Sequence, residues 1–246
     1  MNKIITTFTG KYGLTKSEAM VEIEKVFSSV LSQWYHLEVM VFFREDLKLE
    51  AVAYDKTGGV TMQRIVDLRE LRGSKTLQRH LEINLAKAAV LKLTQLYKTH
   101  EKELHWGEII GCDSEMNLHV ETEIIPGKKV IATCPLNRIG LHERESQHFS
   151  IGQKRAFHLR RVEPVLLNDT PRLKIVVDRV SKTLVETLLR NHLGCDTEKV
   201  KIHCAKRYVG HKSFVLATRR LPKSAIIAVT QELQERVQVR FVENFG

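Results

Sequence analysis

Residues 181–245 decide the fold, and they read SKTLVETLLRNHLGCDTEKVKIHCAKRYVGHKSFVLATRRLPKSAIIAVTQELQERVQVRFVENF. Apolar residues recur there first at helical spacing and then, in two stretches, at every second position. A second helical stripe and a last alternating stretch follow, so the segment predicts helix, strand, strand, helix and strand. The apolar positions of these five elements are Leu184, Val185, Leu188 and Leu189; Val200, Ile202 and Cys204; Phe214 to Thr218; Ile226, Val229 and Leu233; and Val237, Val239 and Phe241.

Two basic segments interrupt this pattern. The turn between the paired strands, residues 206–212, combines cations with an aromatic ring, and a basic link, residues 219–223, occupies the place of a nucleic-acid-binding loop. Long cationic side chains contact phosphates, and exposed rings stack on unpaired bases. The segment therefore predicts an RNA-associated module, whose candidate contacts are Lys206, Arg207, Tyr208, His211, Lys212, Arg219, Arg220 and Lys223.

Residues 104–180 have a different texture, with short apolar stretches broken by Pro and Gly. Five short strands in this length predict a five-stranded OB-type β-barrel, which can present its side to single-stranded nucleic acid. The predicted strands are Trp106 to Gly111, Leu118 to Ile125, Val130 to Cys134, Lys154 to Val162 and Arg172 to Val177.

Cations and rings are interleaved in the loop Leu141 to Gly152 and in the strand after it. They fit RNA contact, but they fit an ordinary solvated face equally well, and Phe157 fits the barrel core better than a stacking site. Both interpretations stay open at this point. The candidate residues are Arg144, Phe149, Lys154, Arg155, His158, Arg160 and Arg161.

Residues 1–103 predict an α/β head. Ala19, Ile23 and Phe27 begin a helical stripe behind Thr15 and Glu18, which have the spacing of a capping box. A strand hairpin, a third strand and a long helix over Thr76 to His100 follow, with the stripe Leu81, Leu85, Ala89, Leu93 and Tyr97. The whole chain is thus predicted to be an α+β multidomain protein, with domains at 1–103, 104–180 and 181–246.

Charge and cysteine usage restrict the partners. The formal net charge is +10, and residues 194–246 alone hold 10 Lys and Arg against 5 Asp and Glu. On charge alone this suits a polyanionic partner or an acidic membrane surface, and the alternative is a solvated basic surface that binds no ligand. The four cysteines form no Cys-x-x-Cys pair and no apolar leader or spanning run is present, so we expect a cytoplasmic protein that does not contact membranes.

Metal binding and catalysis have little support in the sequence. His192, Cys195, His203 and Cys204 offer four ligand types, but His203 and Cys204 are neighbours in a strand and their side chains leave opposite faces. We favour buried thiols and surface histidines over zinc. No phosphate-binding loop, nucleophile elbow or His-Glu-x-x-His helix occurs, so we expect no catalytic residue, no metal and no cofactor.

Several short stretches resemble the bacterial transcription factor family NusA. Residues 105–109, His-Trp-Gly-Glu-Ile, resemble the opening of that family's S-one type barrel, and residues 150–157 resemble its turn and following strand. Residues 177–181 resemble the exit into the first KH helix, and residues 205–213 resemble the hairpin of the first KH domain. The evidence lies in the order and spacing of these matches from Ser17 to Phe241.

The resemblance implies a polymerase-docking head, an S-one type OB barrel and a KH-like module of type II with the order αββαβ. It implies RNA polymerase and the nascent single-stranded transcript as partners, a role in elongation, termination or antitermination, and a monomer. Residues 219–224 replace the family's Gly-x-x-Gly loop, which clamps four nucleotides, and we expect neither the second flanking helix nor a second KH domain. RNA binding would then be weak and salt-sensitive. Alternatively, the module is a protein-interaction scaffold that has lost RNA binding.

Overall fold

The structure, a computed structural model, describes four ranges of the chain: 2–67, 73–144, 149–194 and 200–243. Within them the fold is mixed α+β, with six α-helices and three sheets. Backbone contacts divide the chain into unit 1, Met1–Thr94 with Pro164–Leu173, and unit 2, Gln95–Glu163 with Lys174–Gly246. None of the described helices is both long and apolar enough to cross a membrane.

Helices and an antiparallel sheet of three strands form most of unit 1. The strands lie in the order β1-β2-β3. The predicted elements are present at nearly the predicted positions, and the first helix is one that the sequence pattern did not predict. In chain order the elements are α1 (Asn2–Tyr12), α2 (Lys16–Tyr35), β1 (Glu38–Phe43), β2 (Leu49–Tyr54), β3 (Val60–Ile65) and α3 (Ser74–Lys98).

The start of α2 is fixed by the predicted capping box. Thr15 Oγ1 accepts the Glu18 N–H at 3.2 Å, and the Thr15 N–H donates to Glu18 Oε2 at 2.7 Å. Lys92 Nζ also donates to that carboxylate at 2.7 Å, which ties α3 to the start of α2. These contacts, led by Lys92, lower the pKa of Glu18 to about 2.

Side chains of α2 cover the outer edge of β1. Ser28 Oγ accepts the Val41 N–H at 2.8 Å, and Ser32 Oγ accepts the Val39 N–H at 2.9 Å. Glu24 Oε1 accepts the Phe43 N–H at 2.7 Å. Residues four apart lie on one face of a helix, and alternate strand N–H groups point to one edge. These side chains of α2 therefore satisfy the N–H groups of a strand edge that would otherwise be open to pairing with another chain.

The buried stripe of α3 differs from the predicted one at a single position. Leu81, Leu85 and Tyr97 are buried as predicted, but Leu93 is 38% exposed and Thr94 is buried in its place. Steps of four residues overshoot the helical repeat of 3.6, so a stripe built on them winds around the helix. The assignment of Leu93 to the core was wrong for this reason.

Unit 2 begins with a closed, ring-like sheet of five strands in the order β4-β5-β6-β8-β7. The pairs β4/β5, β5/β6 and β4/β7 are antiparallel, and β6/β8 is parallel. All five predicted strands are present, and the fourth runs beyond its predicted end. The elements are β4 (Leu104–Cys112), β5 (Leu118–Ile125), β6 (Lys128–Cys134), a 3₁₀ turn (Leu136–Arg138), α4 (Leu141–Arg144), β7 (Lys154–Leu167) and β8 (Thr170–Asp178).

The C-terminal module of unit 2 has the predicted order of helix, strand, strand, helix and strand. Its sheet has the order β11-β10-β9, with β9 antiparallel and β11 parallel to the central strand. Both helices bury their apolar stripes, including Leu184, Leu188 and Val229, against Val215 and its neighbours on the inner sheet face. The elements are α5 (Lys182–Asn191), β9 (Ile202–Tyr208), β10 (Lys212–Ala217), α6 (Lys223–Leu233) and β11 (Arg236–Phe241).

A buried arginine joins the ring-like sheet to the C-terminal module. Arg179 follows β8 directly and has no exposed surface. Its Nε donates to Glu143 Oε1 of α4 at 2.9 Å, and its Nη1 donates to Glu232 Oε1 of α6 at 2.8 Å and to the Ala156 carbonyl at 2.6 Å. Burial alone would lower the pKa of Arg179, but the two carboxylates outweigh that effect and raise the pKa. The guanidinium therefore stays charged inside unit 2.

A histidine of α4 makes a second contact across the same junction. His142 Nε2 lies 3.0 Å from the Leu233 carbonyl at the end of α6. Gly210, in the turn between β9 and β10, has a φ of +75°, and a Cβ there would lie 2.3 Å from His142 Nδ1. Only glycine combines this backbone conformation with so close an approach, so the hairpin turn and α4 fit against each other.

We predict that Arg179→Met lowers the free energy of unfolding by about 3–5 kcal/mol, because it leaves the buried Glu143 without its counter-charge and removes one of the two arginines that pair with Glu232. Arg161→Met removes a surface arginine whose ion pair is worth at most about 1 kcal/mol. Urea unfolding of both variants measures the difference. Adding Glu143→Gln and Glu232→Gln to Arg179→Met should recover part of the loss, and equal stability of the two single variants would contradict the prediction.

Candidate nucleic-acid interface

Carboxylates engage three of the four cations predicted on β7. Arg155 lies 3.3 Å from Glu232, and Arg161 lies 3.0 Å from Glu163. Arg160 lies 3.5 Å from Asp178. The fourth cation, Lys154, is exposed, and in the described part of the chain no carboxylate lies within 4.0 Å of it. Most of the cations predicted along this strand therefore have an acidic partner, but only Arg155 is held inside the fold, and Arg160 and Arg161 remain exposed.

Two predicted stacking candidates of the ring-like sheet face inward. His158 is buried, and its Nδ1 lies 3.5 Å from Asp178 Oδ2. The ring of Phe149 packs against the Arg179 guanidinium, with 5.0 Å between the guanidinium carbon and the ring centroid. Phe157 is buried, as its alternative interpretation required. His158 and Phe157 therefore belong to the interior of unit 2, and Phe149 is partly buried against the guanidinium.

The outer side of β5 and β6 carries both signs of charge. Glu121 and Glu123 face outward on β5, Lys128 and Lys129 are exposed on β6, and Lys129 pairs with Glu121 at 2.7 Å. This strand pair is the side on which OB-type barrels commonly bind oligonucleotides. The two signs balance there, so this side offers a phosphate no excess of positive charge. Arg144, on α4, is exposed and donates to the Leu136 carbonyl at 2.7 Å.

Arg207 also lies inside the fold. Its side chain is 2% exposed, and it donates to both carboxylate oxygens of Glu235 at 2.8 and 3.2 Å. Ser213 Oγ and the Gly210 N–H donate to the same carboxylate. This pair fixes the β9–β10 hairpin and has no free donor directed at a ligand on the surface.

The remaining candidates of the hairpin lie on one exposed surface. Lys206 and Tyr208 alternate with Arg207 along β9, so they point away from the helices, and Lys212 is the register partner of Tyr208 on β10. Phe214 is the register partner of Lys206 and is 36% exposed. We call this surface the outer sheet face. Its members are Lys206, Tyr208, Lys212, Phe214, Arg236, Gln238 and Arg240.

Aromatic rings and lysines contact one another on the outer sheet face. The Tyr208 and Phe214 rings meet edge to face, with centroids 6.3 Å apart. Lys206 Nζ lies 4.8 Å from the centroid of Tyr208, and Lys212 Nζ lies 4.7 Å from that of Phe214. A cation–π contact at an exposed site is worth about 0.5–1 kcal/mol, so the lysines are held loosely.

The cations of the outer sheet face have no acidic partner. Within the ranges that the structure describes, no carboxylate lies within 4.0 Å of Lys206, Lys212, Arg236 or Arg240. Arg219, Arg220 and Lys223 of the basic link and His211 of the hairpin turn are exposed too. The module therefore holds most of the candidate cations that remain available to a polyanion.

Sequence reasoning missed four members of this face: Phe214, Arg236, Gln238 and Arg240. The signal was present, because Arg236, Gln238 and Arg240 alternate with the buried Val237 and the partly buried Val239. Residues two apart share one face of a strand. The polar positions of the last strand could therefore have been assigned to the solvent face from the apolar positions alone.

Cysteines and histidines do not converge on a metal site. Among the described residues, no three His, Cys, Asp or Glu side chains are grouped to hold an ion. His203 is exposed and Cys204 is buried on opposite faces of β9, as predicted, and Cys195 lies outside the described residues. Burial raises the pKa of Cys204 to about 11, so this thiol stays protonated and unreactive at neutral pH.

A scan against models of known protein families finds no match to this chain, and a search of curated proteins finds no match to it either.

We predict that unit 2 loses stability as the pH falls below about 6.5, because of His105 in β4. Burial lowers the pKa of His105 below its ordinary value of 6.5, and Glu103 offsets only part of this effect. The folded state therefore favours the neutral ring. The contribution of the neutral His105 ring to the free energy of unfolding is fully present above the pKa of the unfolded chain. It is lost as the pH falls from there toward the lower pKa of the folded state, because only the unfolded chain takes up a proton in that range.

Thermal unfolding between pH 8 and pH 5 tests this prediction. His105→Gln should flatten the fall of Tm with pH, and His119→Gln, which changes a less buried histidine of the same sheet, should not. An unchanged pH profile in His105→Gln would contradict the role given to this side chain.

Asp178 contributes to stability in a lower pH range. Burial would raise the pKa of Asp178, but His158 and Ser181 outweigh that effect and lower it.

Proposed function

We propose that this chain is an RNA-binding factor that associates with RNA polymerase in the cytoplasm and acts in transcription elongation, termination or antitermination. In this proposal it resembles NusA, with a polymerase-docking head, an OB-type barrel of the S-one kind and a KH-like module of type II without its Gly-x-x-Gly loop. The nascent single-stranded transcript is its ligand.

The fold supports this proposal at two points. A closed five-stranded ring is the architecture expected of an OB-type barrel. The module's order of helix, strand, strand, helix and strand, with one antiparallel and one parallel pairing, is the order that the resemblance implies. Neither point identifies a ligand, because one fold can carry many functions.

One observation carries the RNA-binding part of the proposal. The cations of β7 are mostly paired with carboxylates, whereas those of the outer sheet face and the basic link have no acidic partner within the described residues. Unpaired cations grouped on one module favour a polyanion, and each that contacts a phosphate releases a counterion. The RNA contact is therefore assigned to the C-terminal module and not to the side of the ring-like sheet.

We predict that reversing three of these cations abolishes RNA retention. Lys206→Glu, Lys212→Glu and Arg219→Glu together change the module's charge by about six units and place carboxylates where phosphates would lie. Retention on immobilised single-stranded RNA, measured at two salt concentrations, should fall to background. The matched control reverses Lys16, Lys56 and Lys98, which are exposed outside the module.

Equal losses in both triple variants would indicate a general charge effect and contradict the assignment to the module. Arg207 is left unchanged in this experiment, because its loss would disturb the buried contact with Glu235. Circular dichroism of each variant shows whether the fold is kept.

A pull-down from bacterial extract with and without nuclease tests the polymerase part. Polymerase recovered in both conditions would support direct docking, and polymerase lost with nuclease would indicate tethering through RNA. The scaffold alternative predicts polymerase recovery with no RNA retention at all. Recovery of neither polymerase nor RNA would reject the proposed function.

A further inference from the structure

We propose that the outer sheet face is a stacking platform for single-stranded RNA, on which Tyr208 and Phe214 each take one unpaired base. This inference rests on the proposed function, and it adds the site and the form of RNA that the site accepts. The four cations of the face, Lys206, Lys212, Arg236 and Arg240, contact the phosphates on either side of the stacked bases.

The two rings are exposed on a surface built without acidic residues. Tyr208, at the end of the edge strand β9, is 46% exposed, and Phe214, on the central strand β10, is 36% exposed. The seven members of the face include no Asp or Glu. A solvated sheet face in a chain with 29 acidic residues would be expected to mix both signs of charge. A surface of cations and aromatic rings with no acidic member instead matches the demands of RNA.

The side chains of the outer sheet face are arranged in rows across the three strands. Tyr208, Lys212 and Arg236 form one row of register partners, and Lys206, Phe214 and Gln238 form the next. Adjacent strands are about 4.8 Å apart, and rows on one face are about 6.5 Å apart along a strand. Each ring thus has a cation beside it in its own row, so a base on the ring brings its phosphate within reach of a positive charge.

The lysines that cover the two rings can move away when a ligand binds. Lys206 and Lys212 now lie over the rings, where they make cation–π contacts. Stacking of a base on an aromatic side chain is stronger than an exposed cation–π contact. Their flexible stems allow the ammonium groups to move from the ring faces to the phosphates as the bases enter. The surface is therefore occupied by replaceable partners before RNA binds.

Stacking on a sheet selects unpaired bases over a duplex. Both faces of a paired base inside a helix are already covered by its neighbours, whereas a base in a single strand has free faces. A charge-only surface would not make this distinction, because a duplex carries more phosphates per unit length. The outer sheet face should therefore prefer a single strand over a duplex at equal salt concentration.

Binding of the full chain to three probes tests the inference. The probes are a U-rich single-stranded RNA, an RNA duplex of the same length and inorganic polyphosphate, all at one salt concentration. The variant Tyr208→Leu with Phe214→Leu removes both rings and keeps apolar side chains. We expect it to bind the single strand at least tenfold more weakly, from the usual contribution of stacking per base, and to bind polyphosphate like the unmodified chain.

The matched control is Tyr35→Leu, which removes a ring that is 62% exposed in unit 1. It should bind all three probes like the unmodified chain. Crosslinking with 4-thiouridine RNA provides a second measurement that does not depend on affinity, and we expect crosslinked peptides to include residues 206–216.

Each result separates the inference from the proposed function. If the double variant binds single-stranded RNA as tightly as the unmodified chain while Lys206→Glu with Lys212→Glu loses it, the face acts by charge alone. The stacking inference is then wrong and the proposed function stands. If the unmodified chain binds polyphosphate but shows no preference for the single strand over the duplex, the inference is also wrong. If the unmodified chain binds no RNA, both are rejected.

Discussion

A guanidinium group without exposed surface lies where the ring-like sheet of unit 2 passes into the C-terminal module. Arg179 carries its charge into an interior where an unpaired cation would be very costly, and Glu143 and Glu232 compensate that charge from opposite sides of the junction. Each carboxylate belongs to a different part of unit 2, so the buried charge of the arginine is fully compensated only while both parts are docked. The interaction thus makes the folding of the ring-like sheet and that of the module depend on each other.

Pairing with carboxylates inside unit 2 also determines which cations remain accessible to a ligand. The formal net charge of +10 does not show which cations are accessible on the surface. Inside unit 2, carboxylates hold Arg155, Arg179 and Arg207 and leave the lysines of the hairpin exposed. A buried arginine can donate to two oxygens at once with its planar group, whereas a lysine is a flexible point charge. In this unit the buried arginines stabilise the fold, and the exposed lysines and arginines of the sheet and link have no acidic partner among the described residues.

The sequence predicted the described strands and most of the helices because the apolar repeats of period two and 3.6 are strong in this chain. It could not predict which residues of the β9–β10 hairpin face outward. The pairing register shifts by one residue between Phe214 and Val215, and a shift of one residue moves a side chain to the opposite face. Residues 206–212 were therefore treated as one projecting turn, and Arg207, inside the fold, was grouped with Lys206. Burial of His158 depended likewise on the closure of the ring, which no local pattern encodes.

The buried pair of Arg207 and Glu235 connects the architecture of the module to its candidate site. Strand alternation places Lys206 and Tyr208 on the outer face because Arg207 is held on the inner one. A loop that clamps RNA must be ordered when it binds, at a cost in conformational entropy, whereas a sheet fixed by an internal ion pair is already ordered. A module without the Gly-x-x-Gly loop can therefore still offer RNA a preorganised surface. The rigid part of that surface is a pair of rings, and its mobile part is a set of cations. Because the rings need a base with a free face, the surface would select for unpaired bases.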